Sequence, residues 1–358
     1  MKQGLRVVDA DGHTMDPAVI SEQYLDPKWR PELARHVSMQ LVPGSLEALR
    51  LEEQLHTKYA EFTDSGWDAR VLVKGLDVEG VDISVIYGPL YSMWADGMDP
   101  RFAAALARGY NRWLADYSAD SGGRVQGAAP LPVQDLDLAL AEVDYCCDTL
   151  GIKAFWVRPN PVNGRVLGDG AYDRLYAVLQ ERDAPLSLHE GMGAIMPTAG
   201  ADRFSTWTEL HTCCHPMEQQ MAMLSMMLQG VFDRFPRLRV AFMESGCSWA
   251  PAWLHRMEEH VELTGWYDFP NLELKPIEYF RRNCFISCDP DEDLLWTVVD
   301  TIGDENVLFA TDFPHPDAKY PHAVDSFLGL PRVSLESKAR ILWDNAARFY
   351  GAALASPL

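Results

Sequence analysis

The stretch LRVVDADGH, residues 5–13, decides the fold, because an apolar run of strand length ends there in Asp9, Asp11 and His13. Seven further apolar runs follow it along the chain. The predicted strands span residues 5–11, 83–87, 125–131, 152–157, 185–189, 239–244, 284–288 and 307–312. Strands that are apolar throughout and alternate with helices are typical of a parallel sheet covered on both faces. Eight such units predict an α/β fold, a (β/α)8 barrel that forms a single domain over residues 1–358.

Helical segments separate most of these strands, and one polar insertion interrupts the alternation. The predicted helices include residues 100–119, 136–150, 172–182, 216–232, 250–263 and 292–302. Residues 17–75, with a helix predicted at 45–58, form a helical excursion near the barrel mouth. Residues 192–207 are predicted to form a second long loop there. No Gly-x-Gly-x-x-Gly follows the first strand, which argues against a dinucleotide-binding fold.

Composition excludes several classes of protein. Lysine and arginine total 31 against 52 acidic residues, so the formal net charge is −21, which argues against a nucleic-acid partner. The seven cysteines form no Cys-x-x-Cys pair and are expected to be reduced thiols. The apolar runs are too short to cross a bilayer, and the sequence opens without a signal-peptide pattern. We therefore expect a cytoplasmic protein that binds a small molecule, without a nucleic acid or a membrane.

Ionisable residues follow the predicted strands at their carboxyl ends. Asp11 and His13 close the first strand, His189 the fifth, Glu244 the sixth and Asp312 the eighth. A single aspartate at such a position is usually a turn or helix cap. In a parallel barrel, however, the carboxyl ends of all strands open on one face, so these side chains are expected to converge. Imidazole and carboxylate together suit zinc, manganese or iron.

The Asp-Gly-His triplet at the first strand end has the geometry of a ligand pair. Asp11 and His13 are two residues apart, so a strand directs both side chains to one side. Gly12 between them is expected to let the backbone approach the ion closely. Asp9 has two open readings, a partner that orients His13 or a buried carboxylate bonded to backbone amides.

The segment HTCCHPME, residues 211–218, allows two interpretations. Pro216 fits the first position of a helix, which would make His215 the N-cap and Glu218 its capping partner. Alternatively, His215 and Glu218 face one way and contribute to a second metal site, with His211 as a further candidate. The additional ligands would suit a dinuclear centre.

Four segments resemble the signature segments of the amidohydrolase-related barrel family. They are VVDADGHTMDP (7–17), PLSLHEG (185–191), GVFDRFPRLRVAFMESGCSW (230–249) and FATDFPHPD (309–317). The family includes metal-dependent decarboxylases of the aminocarboxymuconate-semialdehyde and hydroxybenzoate types, besides hydrolases and hydratases. The resemblance implies that the metal ligands are Asp11, His13, His189 and Asp312. It also implies that His315 lies near the substrate.

The chain departs from the decarboxylases at the end of the sixth strand, where they carry a histidine and this chain has Glu244. Residues 215–232, 244–260 and 311–325 are similar to a branch of the family that holds two non-heme irons and hydroxylates substrates with dioxygen. The resulting prediction is a diiron monooxygenase, an oxidoreductase that needs an electron donor and acts on a small organic substrate such as an acyl-coenzyme A. The predicted iron ligands are Asp11, His13, His189, His215, Glu244 and Asp312. Glu218 and His315 are the predicted catalytic residues, and the resemblance implies a homodimer.

The alternative is a mononuclear zinc or manganese decarboxylase or hydrolase that acts on a carboxylated substrate. Its metal would activate water or polarise the substrate carboxylate, while Asp312 or His315 handles protons. Arg158, at the end of the fourth strand, would bind a substrate carboxylate or phosphate, or else form an ordinary salt bridge. A binding module with a structural metal is disfavoured, because structural zinc sites are usually closed and rich in cysteine.

Overall fold

The structure of the protein, a computed structural model, describes residues 1–14, 18–40, 57–88, 93–191, 198–315, 317–351 and 354. Its strands lie close to the predicted ones. They are β1 (Val8–His13), β2 (Ile83–Tyr87), β3 (Val125–Gly127 and Ala129–Pro130), β4 (Phe155–Val157), β5 (Leu186–Leu188), β6 (Val240–Phe242), β7 (Cys284–Cys288) and β8 (Val307–Phe309). Each pairs in parallel with its neighbours in sequence order, and β3 is interrupted at Ala128.

The last strand returns to the first through backbone hydrogen bonds just beyond β8. The Asp312 amide donates to the Asp11 carbonyl at 2.9 Å, and the His13 amide donates to the Phe313 carbonyl at 2.7 Å. Gly12 and Phe313 form a parallel bridge at the same place. The predicted α/β barrel is confirmed, and its first and last strands meet at the residues that were predicted to bind metal.

Helices cover the outside of the sheet. In the described part of the chain they are α1 (Arg30–Gln40), α2 (Ala60–Asp64), α3 (Ala69–Glu79), α4 (Pro100–Asp120), α5 (Leu136–Tyr145), α6 (Asp173–Glu181), α7 (Trp207–Leu228), α8 (Val231–Arg234), α9 (Ala250–His260), α10 (Trp266–Asp268), α11 (Pro276–Asn283), α12 (Leu295–Thr301), α13 (Ala323–Gly329), α14 (Leu335–Ala339) and α15 (Asn345–Tyr350). Helices α1 to α3 form the expected insertion after β1. The predicted helix at 45–58 falls mostly outside the described residues, as does the 192–197 part of the predicted loop. Of the helices described, none has the length and apolar character that a membrane span requires.

Helix α7 begins well before the predicted start, which corrects the capping interpretation of His215 and Glu218. Thr206 is the N-cap, since its hydroxyl accepts from the Glu209 amide while the Glu209 carboxylate accepts from the Thr206 amide. Pro216 therefore lies inside the helix, and His215 and Glu218 are interior residues with buried side chains. They are not cap residues.

The barrel interior is filled by side chains. One cluster of buried hydrophobic residues extends from Val7 to Tyr350 along the chain. Tyr87 joins Ser187 at 2.7 Å and Tyr350 at 2.9 Å through its hydroxyl, and the Tyr350 hydroxyl donates to the Ala10 carbonyl. Because this packing closes the interior, space for chemistry remains at the carboxyl ends of the strands.

Gly12 is required for a reason that differs from the predicted approach to an ion. A Cβ atom at this position would lie 2.5 Å from Ser84 Oγ and 2.9 Å from Asp9 Oδ2. These two atoms are themselves joined by a 2.9 Å hydrogen bond. Gly12 therefore leaves room for a buried polar contact between β1 and β2.

We predict that Gly12→Ala lowers the free energy of unfolding by about 1–3 kcal/mol, because the added methyl group must displace that contact. Chemical denaturation measures the change. Gly329→Ala is the matched control, since a Cβ there meets nothing within 4 Å, and it should change stability by less than about 1 kcal/mol. Equal effects of the two substitutions would contradict the steric explanation.

Candidate metal centre

Four side chains from three strand ends converge on one point at the barrel mouth. Asp11 Oδ1 lies 3.1 Å from His189 Nε2 and 3.3 Å from His13 Nε2, and His13 Nε2 lies 3.1 Å from Asp312 Oδ1. Asp11, His13 and His189 form one group of potential ligands, and His13, Asp312 and His315 form an adjoining group. The structure thus brings together the four ligands that the family resemblance implied.

Two buried atoms at the centre of this cluster, Asp11 Oδ2 and His13 Nε2, make no hydrogen bond of acceptable geometry to any residue that the structure describes, although His13 Nε2 lies close to two carboxylate oxygens. The other ring nitrogens are oriented by backbone carbonyls, His13 Nδ1 by Tyr87 at 3.0 Å and His189 Nδ1 by Glu190 at 2.7 Å. When Nδ1 of each ring donates to its carbonyl, Nε2 is left with a lone pair that points inward. A buried carboxylate and two such imidazoles fit a divalent metal ion, whose charge would satisfy the unpartnered atoms.

Glu244 is surrounded by three histidines. Its Oε2 lies 3.3 Å from His215 Nε2 and 3.4 Å from His189 Nδ1, and its Oε1 lies 3.5 Å from His315 Nδ1. Burial disfavours the charged form of Glu244, but His215 and His189 outweigh it and hold the pKa of the carboxyl well below its usual range. Glu244 is therefore an ionised group between the predicted metal position and His215.

Two of the site carboxylates have a strained backbone. Glu244 has a φ of 51° and Asp312 a φ of 53°, both in the left-handed region that non-glycine residues rarely adopt. Such a conformation costs about 1–3 kcal/mol and is found mostly where function requires it. At Glu244 the backbone amide is held by Ser287 Oγ at 3.0 Å. At these two positions the backbone turns sharply after β6 and after β8, so the carboxylates of Glu244 and Asp312 point into the mouth.

His315 lies between these two carboxylates. Its Nδ1 is 2.6 Å from Asp312 Oδ1, and its ring stacks on the His13 ring at a centroid distance of 4.2 Å. Burial opposes protonation, but Asp312 and Glu244 raise the pKa of His315 well above its usual range. With 32% of its side chain exposed, the imidazole is accessible at the barrel mouth in a form that can donate a proton.

The other candidates divide between two places. His211 and His215 form a group with Glu244, and the His211 ring contacts the rings of Trp207 and His215 at 4.3 and 4.4 Å. Glu218 instead accepts from the Ala199 amide at 2.6 Å, and it is absent from the potential ligand groups found among the described residues. Its predicted catalytic role stays a prediction.

Asp9 does not orient His13, whose Nδ1 binds Tyr87. The Asp9 carboxylate accepts from the Thr311 amide and hydroxyl at 2.9 and 2.8 Å and from the Ser84 hydroxyl. Burial raises the pKa of this carboxyl to about 7, although the bonds to Thr311 and Ser84 act in the opposite direction. The reading as a buried carboxylate bonded mainly to its neighbours is the one that the geometry supports.

Arg158 forms a buried salt bridge, as one of its two interpretations required. Its Nη2 lies 2.6 Å from Glu190 Oε1, and the side chains are 3% and 0% exposed. The sequence showed Glu190 beside the ligand His189 but gave no sign of this pairing, because Arg158 is distant in sequence.

A cleft of about 310 Å³ opens beside His215, Glu244 and Asp312. Its outer wall includes Asp289, Asp291, Asp317 and Lys319. Sequence reasoning missed these four residues as part of the site. A signal was available for Asp289 and Asp291, because they follow the seventh predicted strand on the face where the ligands lie.

Parallel strands closed into a barrel, with histidines and carboxylates gathered at one mouth, define an amidohydrolase-type barrel with a candidate metal site. The chain belongs to the amidohydrolase family, whose family model matches residues 85–352.

Known proteins with similar sequence or structure include several decarboxylases. The 2-amino-3-carboxymuconate-6-semialdehyde decarboxylase of Dictyostelium discoideum is 26% identical over 302 residues, which cover 82% of this chain and 79% of that protein. The crystal structure of 5-carboxyvanillate decarboxylase from Sphingomonas paucimobilis has a TM-score of 0.71 at 22% identity and covers 97% of this chain and 99% of the other. A dihydroxybenzoic acid decarboxylase from Polaromonas with bound manganese has a TM-score of 0.67 at 21% identity, with 99% of both chains covered.

The prediction of a diiron monooxygenase is wrong. It depended on likeness in three short segments around His215, Glu244 and His315, whereas a decarboxylase aligns over 82% of the chain. The oxidoreductase class and the two irons therefore have no support, and neither do dioxygen, an electron donor or an acyl-coenzyme A substrate. The family resemblance that preceded this finer prediction is confirmed.

The titration of Glu218 gives a testable pH dependence. Burial, and then the negative charge of Glu190, raise the pKa of Glu218 from 4.5 to about 7. The folded protein thus retains this proton up to about pH 7, whereas the unfolded chain releases it near pH 4.5. The resulting stabilisation is fully present below pH 4.5 and is lost as the pH rises through 7.

We predict that Glu218→Gln removes this dependence, because glutamine does not ionise. Between pH 4.5 and pH 8, the free energy of unfolding of the wild type should therefore fall by about 1–3 kcal/mol relative to that of the variant. Urea denaturation of both proteins across this range measures it. A difference that is constant with pH would show that the pKa of Glu218 is not raised.

Proposed function

We propose that the protein is a mononuclear, divalent-metal-dependent decarboxylase that acts on a small carboxylic acid. One observation carries the proposal: Asp11, His13, His189 and Asp312 converge, with Asp11 Oδ2 and His13 Nε2 buried and without a hydrogen bond to the described part of the chain. The decarboxylase relatives support the reaction class, and the manganese in one similar structure supports manganese, with zinc as the other ion that this ligand set suits.

Asp11, His13, His189 and Asp312 would hold the ion. When bound there, a divalent cation supplies positive charge that stabilises the substrate carboxylate and the negative charge that develops as carbon dioxide departs. The carbonyls of Tyr87 and Glu190 fix the two imidazole rings, so the ligand atoms need little rearrangement.

The protein's own contribution to the reaction is a proton. Breaking the bond between the carboxyl carbon and its neighbour releases carbon dioxide and leaves the electron pair on the neighbouring carbon. A proton must replace the carboxyl group there. His315 is placed to deliver it, because Asp312 at 2.6 Å and Glu244 at 3.5 Å favour its protonated form and its side chain is 32% exposed at the barrel mouth.

The charge of the cleft limits the substrate. Among its described lining residues are five acidic side chains, Glu244, Asp289, Asp291, Asp312 and Asp317, against one lysine and two histidines, and burial raises the pKa of Asp289 to about 8. That lysine, Lys319, is paired with Asp291 at 2.8 Å. A second anionic group on the substrate would be repelled. We therefore propose a monocarboxylic acid whose remaining groups are neutral or cationic.

A metal-dependent hydrolase is a second candidate, and Glu244 is the observation that favours it. An ionised carboxylate beside the predicted metal position can take a proton from water, and the decarboxylase pattern has a histidine at this place. The two reactions differ in product, because only decarboxylation releases carbon dioxide.

We predict close to one manganese or zinc ion per chain and release of carbon dioxide from small hydroxylated or amino-substituted carboxylic acids. The His189→Ala variant should lose both the bound metal ion and the release of carbon dioxide, because the substitution removes a ligand. Elemental analysis and a coupled carbon dioxide assay over a panel of such acids measure these outcomes. Metal binding combined with hydrolysis of esters or amides, without carbon dioxide, would favour the hydrolase. A protein that binds no divalent metal would refute both candidates.

We predict that His315→Gln lowers kcat by about 10²–10⁴-fold while metal content and KM change little, because the variant loses a proton donor and keeps the four ligands. Steady-state kinetics and elemental analysis separate these effects. His322→Gln, an exposed histidine in the same loop region, is the control and should leave kcat unchanged. A His315→Gln enzyme with wild-type kcat would remove His315 from the reaction.

A further inference from the structure

A buried cluster of charged and polar side chains lies beside the ligands, and the proposed reaction does not use it. It consists of Arg158 and Asn160, which follow β4, Glu190, which follows β5, and Thr198 in the next loop. We propose that these residues, the Arg158 clamp, hold the imidazole of His189 in the orientation that metal binding requires. The proposal rests on the proposed metal site, and Arg158 is its main positioning residue.

The connection to the metal runs through the backbone of Glu190. His189 directs Nε2 toward Asp11 Oδ1 only while Nδ1 is held on the opposite side of the ring. That bond, 2.7 Å long, goes to the carbonyl oxygen of Glu190. This carbonyl, which is nearer to Nδ1 than Glu244 Oε2 at 3.4 Å, is therefore a main determinant of the direction of the ligand atom.

A single guanidinium nitrogen holds the Glu190 segment at two points, one on the side chain and one on the backbone. Arg158 Nη2 donates to Glu190 Oε1 at 2.6 Å and to the Gly191 carbonyl at 3.1 Å. The same Oε1 accepts from Thr198 Oγ1 at 3.0 Å and from Asn160 Nδ2 at 3.4 Å. Three donors thus hold one carboxylate oxygen next to a ligand residue, in a region where the backbone forms no strand.

The charge balance of the cluster makes Arg158 the essential member. Glu190 is 0% exposed in its side chain, and Glu218 on α7 is the second buried carboxyl nearby. Without the guanidinium, Glu190 would be an unpaired buried charge that repels Glu218 and is expected to move toward water. Its carbonyl would move with it, and the His189 ring would lose its anchor.

The experiment measures the affinity of the whole protein for Mn²⁺ and Zn²⁺ by competition with a chelator, together with the visible spectrum of the Co²⁺-substituted protein. Arg158→Met should weaken metal binding by about 10–100-fold and change the Co²⁺ spectrum. Arg158→Lys keeps the charge but lacks the planar fork, so it should fold and show an intermediate loss. The lysine variant keeps the proposal testable if the methionine variant does not fold.

Arg108→Met is the matched control. Arg108 pairs at 2.8 Å with Glu142, another buried carboxylate at 3% exposure, between α4 and α5 and away from the ligands. It should lower thermal stability and leave metal affinity within about twofold of wild type. Wild-type metal affinity and Co²⁺ spectrum in both Arg158 variants would overturn the clamp alone. A wild-type protein that binds none of these metals would overturn the proposed function and the clamp together.

Discussion

The burial of the Asp11 carboxylate is the constraint on which the rest of the site depends. Its side chain is fully buried, and a lone carboxylate in that position would be prohibitively costly without compensating positive charge. Oδ1 approaches both His13 and His189, while the backbone carbonyl of the same residue accepts from the Asp312 amide. The residue that anchors the proposed ion therefore also joins the last strand to the first, so closure of the barrel assembles the ligand set.

The carboxyl ends of β6 and β8 show how far the backbone departs from a regular barrel to complete the site. Glu244 and Asp312 both adopt left-handed conformations, and between them they hold His315. Glu244 introduces a negative charge inside the mouth, and the three histidines around it compensate for that charge. The four proposed ligands are unaffected by it.

Much of the fold was predictable because its strands are apolar throughout. The ranges 83–87 and 284–288 match the observed strands, whereas the last predicted strand ended too late, because β8 stops at Phe309 before the turn at Asp312. Convergence of Asp11, His13, His189 and Asp312 followed from strand order alone.

The start of α7 was misplaced because Pro216 was given more weight than the capping box at Thr206 and Glu209. Contacts between residues distant in sequence, such as Arg158 with Glu190 and Asp9 with Thr311, had no local signal. The diiron monooxygenase prediction failed for a similar reason: it used similarity within three short segments, whereas similarity along most of the chain indicates the decarboxylases.

Anomalous X-ray diffraction from crystals of the Mn²⁺-loaded protein locates the bound ion. We expect one strong manganese peak at the barrel mouth, bounded by Asp11, His13, His189 and Asp312 and adjacent to Asp11 Oδ2 and His13 Nε2. The absence of a peak at this position, or a single peak elsewhere in the molecule, would contradict this expectation.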